Sequence, residues 1–221
     1  MNGVMELICT ICNIVRASAV QGLTFQKLLN RVRREFKKHD LDIKVISRRD
    51  SSLNEDVFYA NGFYDPEDDK NHECPIELII THNFPKDHIW FPEQSTQLLT
   101  QIYDTVTHEI RHQGQYRKRD FRIDTTRGVG HKEYLQDPDE IDAYSISITF
   151  ELVRSLGKTR ALRYLRNIDA LSKLRIRDNL VSPSFSMYRG EFPNQNDKTI
   201  KRLAKKVYIR LQKVDTDCIF Q

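Results

Sequence analysis

The sequence is poor in cysteine and has no long hydrophobic run. Only 4 of its 221 residues are cysteines, and their irregular spacing argues against a disulfide scaffold and for a reducing compartment. Cys9 and Cys12 form a C-x-x-C, but no second pair follows, so buried thiols are favoured over a four-thiolate zinc site. No stretch approaches the roughly 18 apolar residues that cross a bilayer, and we expect no interaction with a membrane.

The N-terminus also lacks a complete secretion signal. An apolar stretch from Val4 to Val15 is followed by small residues. No basic segment precedes it, Glu6 interrupts it, and Arg16 stands where a cleavage region is usually neutral. We therefore expect a mature chain that works in the cytoplasm.

The chain is long enough, with 39% hydrophobic residues, to bury one sizeable core. Its patterns predict a helix, then strands, then further helices, an order typical of an α+β domain. We expect residues 1–157 to form the core of the protein. Residues 158–221 would be a basic helical extension packed on that core, so that the whole chain makes one compact domain.

Positive charge is concentrated in the rear of the chain. The formal net charge is only +4, yet residues 158–213 hold 15 Lys and Arg against 4 Asp and Glu. Such a segment is either a set of solvated helix faces or a surface for nucleic acid, an acidic protein or anionic lipid. The cations fall on two predicted helices: Arg160, Arg163 and Arg166 on one, and Lys198, Lys201, Arg202, Lys205 and Lys206 on the other.

Local patterns predict where the elements begin and end. Thr24 is a candidate N-cap for a helix through Lys38, and Asn61-Gly62 is the strongest short hairpin signal. The sequence further predicts strands for Leu41 to Val45, where apolar and polar residues alternate, and for PIELIITH, residues 75–82. The remaining predicted elements are a helix from Ser95 to Gly114, helices over 139–155, 158–174 and 196–214, and a loop over 181–193.

One motif carries specific chemistry. Residues 108–112 read His-Glu-Ile-Arg-His, an H-E-x-x-H. On a helix, His108 and His112 lie one turn apart on one face, so both imidazoles can reach one ion while Glu109 projects beside them. Zinc accepts such nitrogens at about 2.0–2.1 Å and keeps a position for water, which a neighbouring carboxylate can deprotonate.

The surrounding helix sets these histidines apart from the core. At roughly 100° per residue, the apolar side chains form one stripe, and the two histidines fall on an adjacent polar face. That segregation favours a metal site over the alternative, an accidental pair of surface histidines. The core stripe consists of Leu98, Leu99, Ile102, Val106 and Ile110, and the polar face also carries Gln101, Asp104 and Thr105.

A catalytic zinc site needs a third protein ligand. Glu140 is our candidate because it stands at the head of a mostly apolar helix, where a carboxylate needs a partner. The alternative is an acid that stabilises the helix dipole from the first turn. His131 is the reserve ligand.

Taken together, these residues resemble a minimal gluzincin, the metallopeptidase group in which a glutamate on a later helix completes H-E-x-x-H. The resemblance covers about residues 75–155. It implies a zincin fold, in which a small twisted sheet places its edge strand above the metal cleft and the motif helix beneath. PIELIITH would be that edge strand, residues 96–113 the motif helix and residues 139–155 the glutamate helix.

One position departs from the gluzincin pattern. Four residues after the ligand glutamate those enzymes often have an aspartate that orients a histidine, whereas this chain has Tyr144. Asp104, one turn before His108, is therefore predicted to accept a ring N–H. Tyr144 itself either stabilises an oxyanion or packs in the core.

The resemblance implies a zinc-dependent metalloendopeptidase that acts on a protein or peptide. Glu109 would be the general base that takes a proton from water and later returns it to the leaving amine. The alternative is a nucleic-acid or protein binding module that uses the basic helices and has a structural or degenerate metal site. The two readings are compatible.

Overall fold

A computed structural model describes residues 11, 13–15, 17, 18, 20–39, 41–73, 76–122, 130–166, 181–194 and 196–214. The four cysteines, and with them the C-x-x-C, lie outside these residues. The chain divides into two compact units, unit 1 (Met1–Arg122) and unit 2 (Ile123–Gln221). The sequence predicts the boundary at residue 157. The helix that contains Glu140 belongs with the later part of the chain because it packs on two later helices.

Unit 1 combines helices with one three-stranded sheet, so the predicted α+β class is confirmed. The strand order is β1-β3-β2; β1 runs parallel to β3, and β2 runs antiparallel to it. The elements are α1 (Phe25–Lys38), β1 (Ile43–Arg49), β2 (Phe58–Tyr64), α2 (Pro66–Lys70), β3 (Ile76–His82) and α3 (Pro92–Lys118).

The strand predicted from PIELIITH exists, but it is not an edge. This strand, β3, is central, with β1 on one side and β2 on the other, so the prediction of an edge strand here was wrong. Its apolar residues lie on both faces, with Leu78 and Ile80 buried and Ile79 half-buried. Such a run is typical of a strand flanked on both sides. The edge strand that contacts α3 is β2.

The hairpin predicted at Asn61-Gly62 is also wrong. Both residues lie inside the continuous strand β2 and pair with Ile79 and Leu78 of β3. Glycine inside a strand often marks a close approach of another group rather than a turn. At Gly62 that group is the side chain of Glu109.

Helix α3 begins earlier and ends later than predicted. Ser95 is not its N-cap but a residue of its first turn, where its hydroxyl accepts a 3.0 Å hydrogen bond from the indole N–H of Trp90. Gly114 lies within the helix, which continues to Lys118. The apolar stripe of α3 packs with α1 and the sheet into one core, which includes Leu28, Leu29, Val32, Phe36, Phe58, Leu78, Ile80, Leu98, Ile102 and Val106.

All the regular elements among the described residues of unit 2 are helices. It contains α4 (His131–Gln136), α5 (Pro138–Arg166), α6 (Pro183–Glu191) and α7 (Lys198–Lys213). Gly157 interrupts α5 with φ 73°, ψ 156°, which agrees with the predicted helix end near residue 155. The loop predicted over 181–193 was wrong, because Ser182 caps α6 by accepting from the backbone N–H of Phe185. No helix in the described parts of either unit has the length and apolar character needed to cross a membrane.

Candidate metal centre

Helix α3 presents the two motif histidines side by side. Their Nε2 atoms lie 2.9 Å apart, and their ring centroids lie 4.6 Å apart. His112 is buried, with 7% of its surface exposed, and His108 is half-buried. The four-residue spacing places both rings on the same face of the helix, one turn apart. Two imidazole nitrogens are thereby gathered at one point beside the helix.

Gln115 fixes the tautomer of His112. Its Oε1 lies 2.9 Å from His112 Nδ1, and an amide oxygen only accepts, so Nδ1 carries the proton. Nε2 of the neutral ring then keeps its lone pair, which is the form that binds a metal ion. Gln115 was not predicted from the sequence, although its position three residues after His112 places it on the same helix face. Asp104 is half-buried on α3, and its assignment to a ring N–H stays a prediction.

Glu109 lies against the edge strand. A Cβ added at Gly62 would come within 2.5 Å of both Cγ and Oε1 of Glu109, a separation that real side chains do not tolerate. The missing side chain at position 62 therefore makes room for the carboxylate. On the same strand, the backbone N–H of Ala60 donates to Gln101 Oε1 at 2.9 Å, so α3 also covers part of the edge of the sheet.

An ion pair between the exposed Arg117 and the buried Asp69 anchors the end of α3. Arg117 donates two hydrogen bonds to Asp69, 2.8 Å from Nε and 2.5 Å from the terminal nitrogen, and the hydroxyl of Tyr64 donates a third at 3.0 Å. Asp69 is only 5% exposed. Its hydrogen bonds raise the pKa of Arg117, while burial and then the bond to Asp69 raise the pKa of Tyr64. This cluster joins α2, the end of β2 and the turn of α3 that follows the motif.

Glu140 is buried in the first turn of α5, with 3% of its surface exposed. Within unit 2 its side chain hydrogen bonds with Tyr134, which also bonds with Tyr144. Burial, followed by the charges of Tyr144 and Glu140, raises the pKa of Tyr134, so this phenol stays protonated. The ring of Tyr144 meets that of Tyr188 edge to face at 5.4 Å. Tyr144 is thus part of a tyrosine cluster beside Glu140, and its catalytic role stays a prediction.

One ligand atom from each of His108, His112 and Glu140 lies within 4.8 Å of the other two. Two imidazole nitrogens and one carboxylate oxygen are a donor set that zinc uses in catalytic sites, where a fourth position is left for water or substrate. These three residues fit a metal ion. The reserve ligand His131 is not among them; it lies on α4 with Nε2 3.9 Å from Glu191 Oε1.

Two other buried acids of α5 have fixed partners of a different kind. Asp142 accepts from Lys206 at 2.6 Å and from Arg210 at 3.0 Å. Glu151, 1% exposed, accepts from the hydroxyls of Ser182 and Ser184. Burial raises the pKa of Glu151 against these hydrogen bonds, which lower it. Sequence reasoning predicted neither pair, and both hold helices of unit 2 together.

A serine and a histidine also meet in unit 1, but their protonation is wrong for a nucleophile and base. His82 Nδ1 accepts from the backbone N–H of Phe84 at 3.0 Å, and Nε2 lies 2.8 Å from Ser47 Oγ. Nε2 must therefore carry the proton and donate it to the serine. Burial, with the charges of Arg49 and His88, lowers the pKa of His82. The pair supports the fold.

Comparison of the chain with protein-family models, with curated proteins and with solved structures finds no match.

Proposed function

We propose that the protein is a zinc-dependent metallopeptidase in which His108, His112 and Glu140 hold the metal and Glu109 is the general base. The observation that carries the proposal is the approach of the three ligand atoms within 4.8 Å of one another, with Glu109 next to His108 in the chain. A histidine pair alone would bind metal weakly; a carboxylate beside it supplies the third ligand and reduces the charge of the site.

A bound zinc ion supplies Lewis acidity, which polarises a peptide carbonyl and acidifies water. The chain's own residues supply the proton transfers. Glu109 accepts a proton from the attacking water as its oxygen bonds to the carbonyl carbon, and the carboxyl group then donates that proton to the leaving nitrogen as the C–N bond breaks. Contact with Gly62 holds Glu109 beside the edge strand, where a substrate backbone would lie.

The edge position of β2 supports a peptide as the substrate class. An extended peptide can add to an exposed sheet edge through backbone hydrogen bonds. Because Gln101 occupies the N–H of Ala60, the part of β2 after Ala60 is the part that we expect to receive it. Gly62 lies there, next to Glu109.

The test combines metal content with cleavage of a peptide library, with and without a chelator. We expect one zinc per chain in the purified protein and cleavage that the chelator abolishes. Glu109→Gln should retain zinc and lose about 100-fold or more in rate, since general bases contribute roughly 10²–10⁴. His108→Ala should lose both zinc and cleavage.

Glu140 has a matched control in its neighbour. Glu140→Gln should weaken zinc binding and cleavage, whereas Asp139→Asn, one residue away in the same first turn, should leave both unchanged. Zinc retained without any cleavage would refute the peptidase and leave a structural metal site. Equal rates for the parent and Glu109→Gln would refute the role of Glu109.

A further inference from the structure

Helix α7 has cations on every side that is not buried. Its sequence contains seven Lys and Arg and no Asp or Glu. The buried stripe of Ile200, Leu203, Val207 and Leu211 determines which side faces the interior of unit 2. Lys198, Arg202 and Lys205 lie at i, i+4 and i+7 on the opposite side and are exposed.

Six of the seven cations of α7 divide into two groups with different surroundings. Lys206 and Arg210 flank the buried stripe and bind Asp142, and Arg210 also donates to the hydroxyl of Ser145 at 2.7 Å. They attach α7 to α5. The other group is Lys198, Lys201, Arg202 and Lys205, and within the described parts of the chain none of these four forms an ion pair.

One acid stands near the start of this group. Asp197 is the N-cap of α7, where its carboxylate accepts from the backbone N–H of Thr199 at 2.7 Å. That bond, as the largest cause, lowers the pKa of Asp197. The carboxylate binds the backbone at the start of the helix, so it does not neutralise the cations that follow.

Arg166 extends the same surface from α5. Its terminal nitrogen donates to the hydroxyl of Tyr208 at 2.6 Å, and its guanidinium carbon lies 5.5 Å from the centre of that ring. Tyr208 follows Lys201 by seven residues and Lys205 by three, so all three residues lie on the same side of α7. We call Arg166, Lys198, Lys201, Arg202 and Lys205 together the basic face; all five side chains are exposed.

We propose that the basic face binds the phosphodiester backbone of a nucleic acid. Lys198 to Lys205 span about 10 Å along the helix axis, so the face is a line of like charges whose mutual repulsion costs stability until an anion neutralises it. A nucleic acid is the matching linear ligand, with one charge about every 3.4 Å of each strand. Arg166, held in a fixed orientation by Tyr208, has further N–H donors for a phosphate.

The composition of the face favours this partner over a membrane or an acidic protein. Ile209 is the one exposed large apolar residue on the described surface of α7. Amphipathic helices that bind membranes present several large apolar side chains to the lipid, and protein interfaces have an apolar centre. The basic face has neither. The inference does not depend on the metal site.

The test measures fluorescence anisotropy of a labelled single strand and of its duplex between about 50 and 200 mM salt. Arg202→Gln/Lys205→Gln should weaken binding and reduce the slope of log K against log salt by about 1.4 for the single strand or 1.8 for the duplex. Whichever of the two nucleic acids, single strand or duplex, loses more affinity in this variant is the one that the basic face binds. Arg34→Gln/Lys37→Gln, two exposed cations of α1, removes the same charge and should change little.

Three outcomes would overturn the proposal. Equal weakening in both double variants would show an effect of net charge alone. Absence of binding near 50 mM salt would refute the surface. Displacement of the strand by polyglutamate at equal charge, or tighter binding to anionic vesicles, would assign the face to another partner. If Arg202→Gln/Lys205→Gln loses helical ellipticity, Lys198→Gln/Lys201→Gln tests the same face.

Discussion

Buried polar groups differ in charge between the two units, apart from the carboxylate of Asp69, which unit 1 buries against Arg117. Unit 1 buries the neutral histidine His82 among aromatic rings, with Ser47 and the backbone of Phe84 as its hydrogen-bond partners. Unit 2 buries carboxylates on α5 and compensates Asp142 with cations and Glu151 with serine hydroxyls.

The strength of compensation also differs between the units. Burying a neutral imidazole removes no charge from water, so two ordinary hydrogen bonds are enough to compensate the burial of His82. A buried carboxylate is costly unless charges or several donors surround it. We therefore expect the buried carboxylates of unit 2 to be sensitive to loss of one partner, whereas the close approach of Gly62 and Glu109 in unit 1 is sensitive to shape.

The largest effect should come from a change of shape in unit 1. Gly62→Ala places a methyl group where Glu109 now lies, so the carboxylate has to rotate away. If Glu109 is the general base, we expect cleavage to fall about 100-fold or more while bound zinc stays at one per chain. Peptide cleavage and metal analysis on the same sample provide the measurement.

Gly114→Ala is the matched control for this substitution. A Cβ at Gly114 meets nothing within 4 Å, and alanine is the better helix former by about 1 kcal/mol. The control should keep activity and gain a little stability. Full activity in Gly62→Ala would show that Glu109 does not need its present position.

The next effect should come from loss of one charge in unit 2. Asp142→Ala leaves Lys206 and Arg210 without their shared carboxylate, and we expect a loss of about 2–3 kcal/mol, below the usual range for buried pairs because both cations are partly exposed. Urea unfolding followed by helical ellipticity measures it. Trp90, the only tryptophan, reports on unit 1. A shift of equal size in Trp90 emission would contradict a defect confined to unit 2.

A smaller effect should follow from loss of the groups that orient the ligands. Gln115→Ala frees the ring of His112, and Tyr134→Phe removes a hydrogen bond to Glu140. Partners of this kind are worth about 10–100-fold in metal affinity. Zinc competition with a fluorescent chelator measures the change. Gln113→Ala, on the same helix, is the control, and affinity as low as in Gln115→Ala would show that the orientation of His112 is irrelevant.

The smallest effects are opposite pH dependences. His82 has a lowered pKa in the folded protein, so its contribution to stability is present above the ordinary value of 6.5 and is lost as pH falls below it. Glu151 has a raised pKa, so its contribution is complete below 4.5 and is lost as pH rises through the folded value. Each slope is at most about 1.4 kcal/mol per pH unit.

Substitution separates these two slopes. His82→Gln should reduce the fall in unfolding free energy below pH 6.5, when urea unfolding is followed by Trp90 emission. Glu151→Gln should reduce the fall in unfolding free energy above pH 4.5, when urea unfolding is followed by helical ellipticity. A parent protein whose stability shows the same sign of slope at both probes would contradict the contrast between the units.

Helical periodicity was the most reliable signal in the sequence. The helices ending at Lys38 and Lys213 were predicted within one or two residues, because each buries one continuous stripe. The predicted ends of elements were wrong where a residue typical of a cap or turn makes a tertiary contact instead. Ser95 accepts from Trp90 instead of capping α3, and Gly62 makes room for Glu109 instead of forming a turn.

The pairing of strands was not predictable for a similar reason. The apolar run in β3 indicates burial on both faces, but which strands lie beside it depends on hydrogen bonds to segments distant in sequence. Gln115 and Tyr134 were missed because glutamine and tyrosine have many uses, and only their distance from a ligand reveals this one.

By itself the sequence determined the local chemistry. The four-residue spacing of His108 and His112 brings their nitrogens together in any α-helix, and the periodicity of α7 leaves its cations exposed once the apolar stripe is buried. Tertiary structure alone decided which strand lies along the motif helix and which residues orient the imidazole and the carboxylate. Helix geometry is fixed by bonds between near neighbours, whereas contacts between segments distant in the chain depend on how whole elements pack.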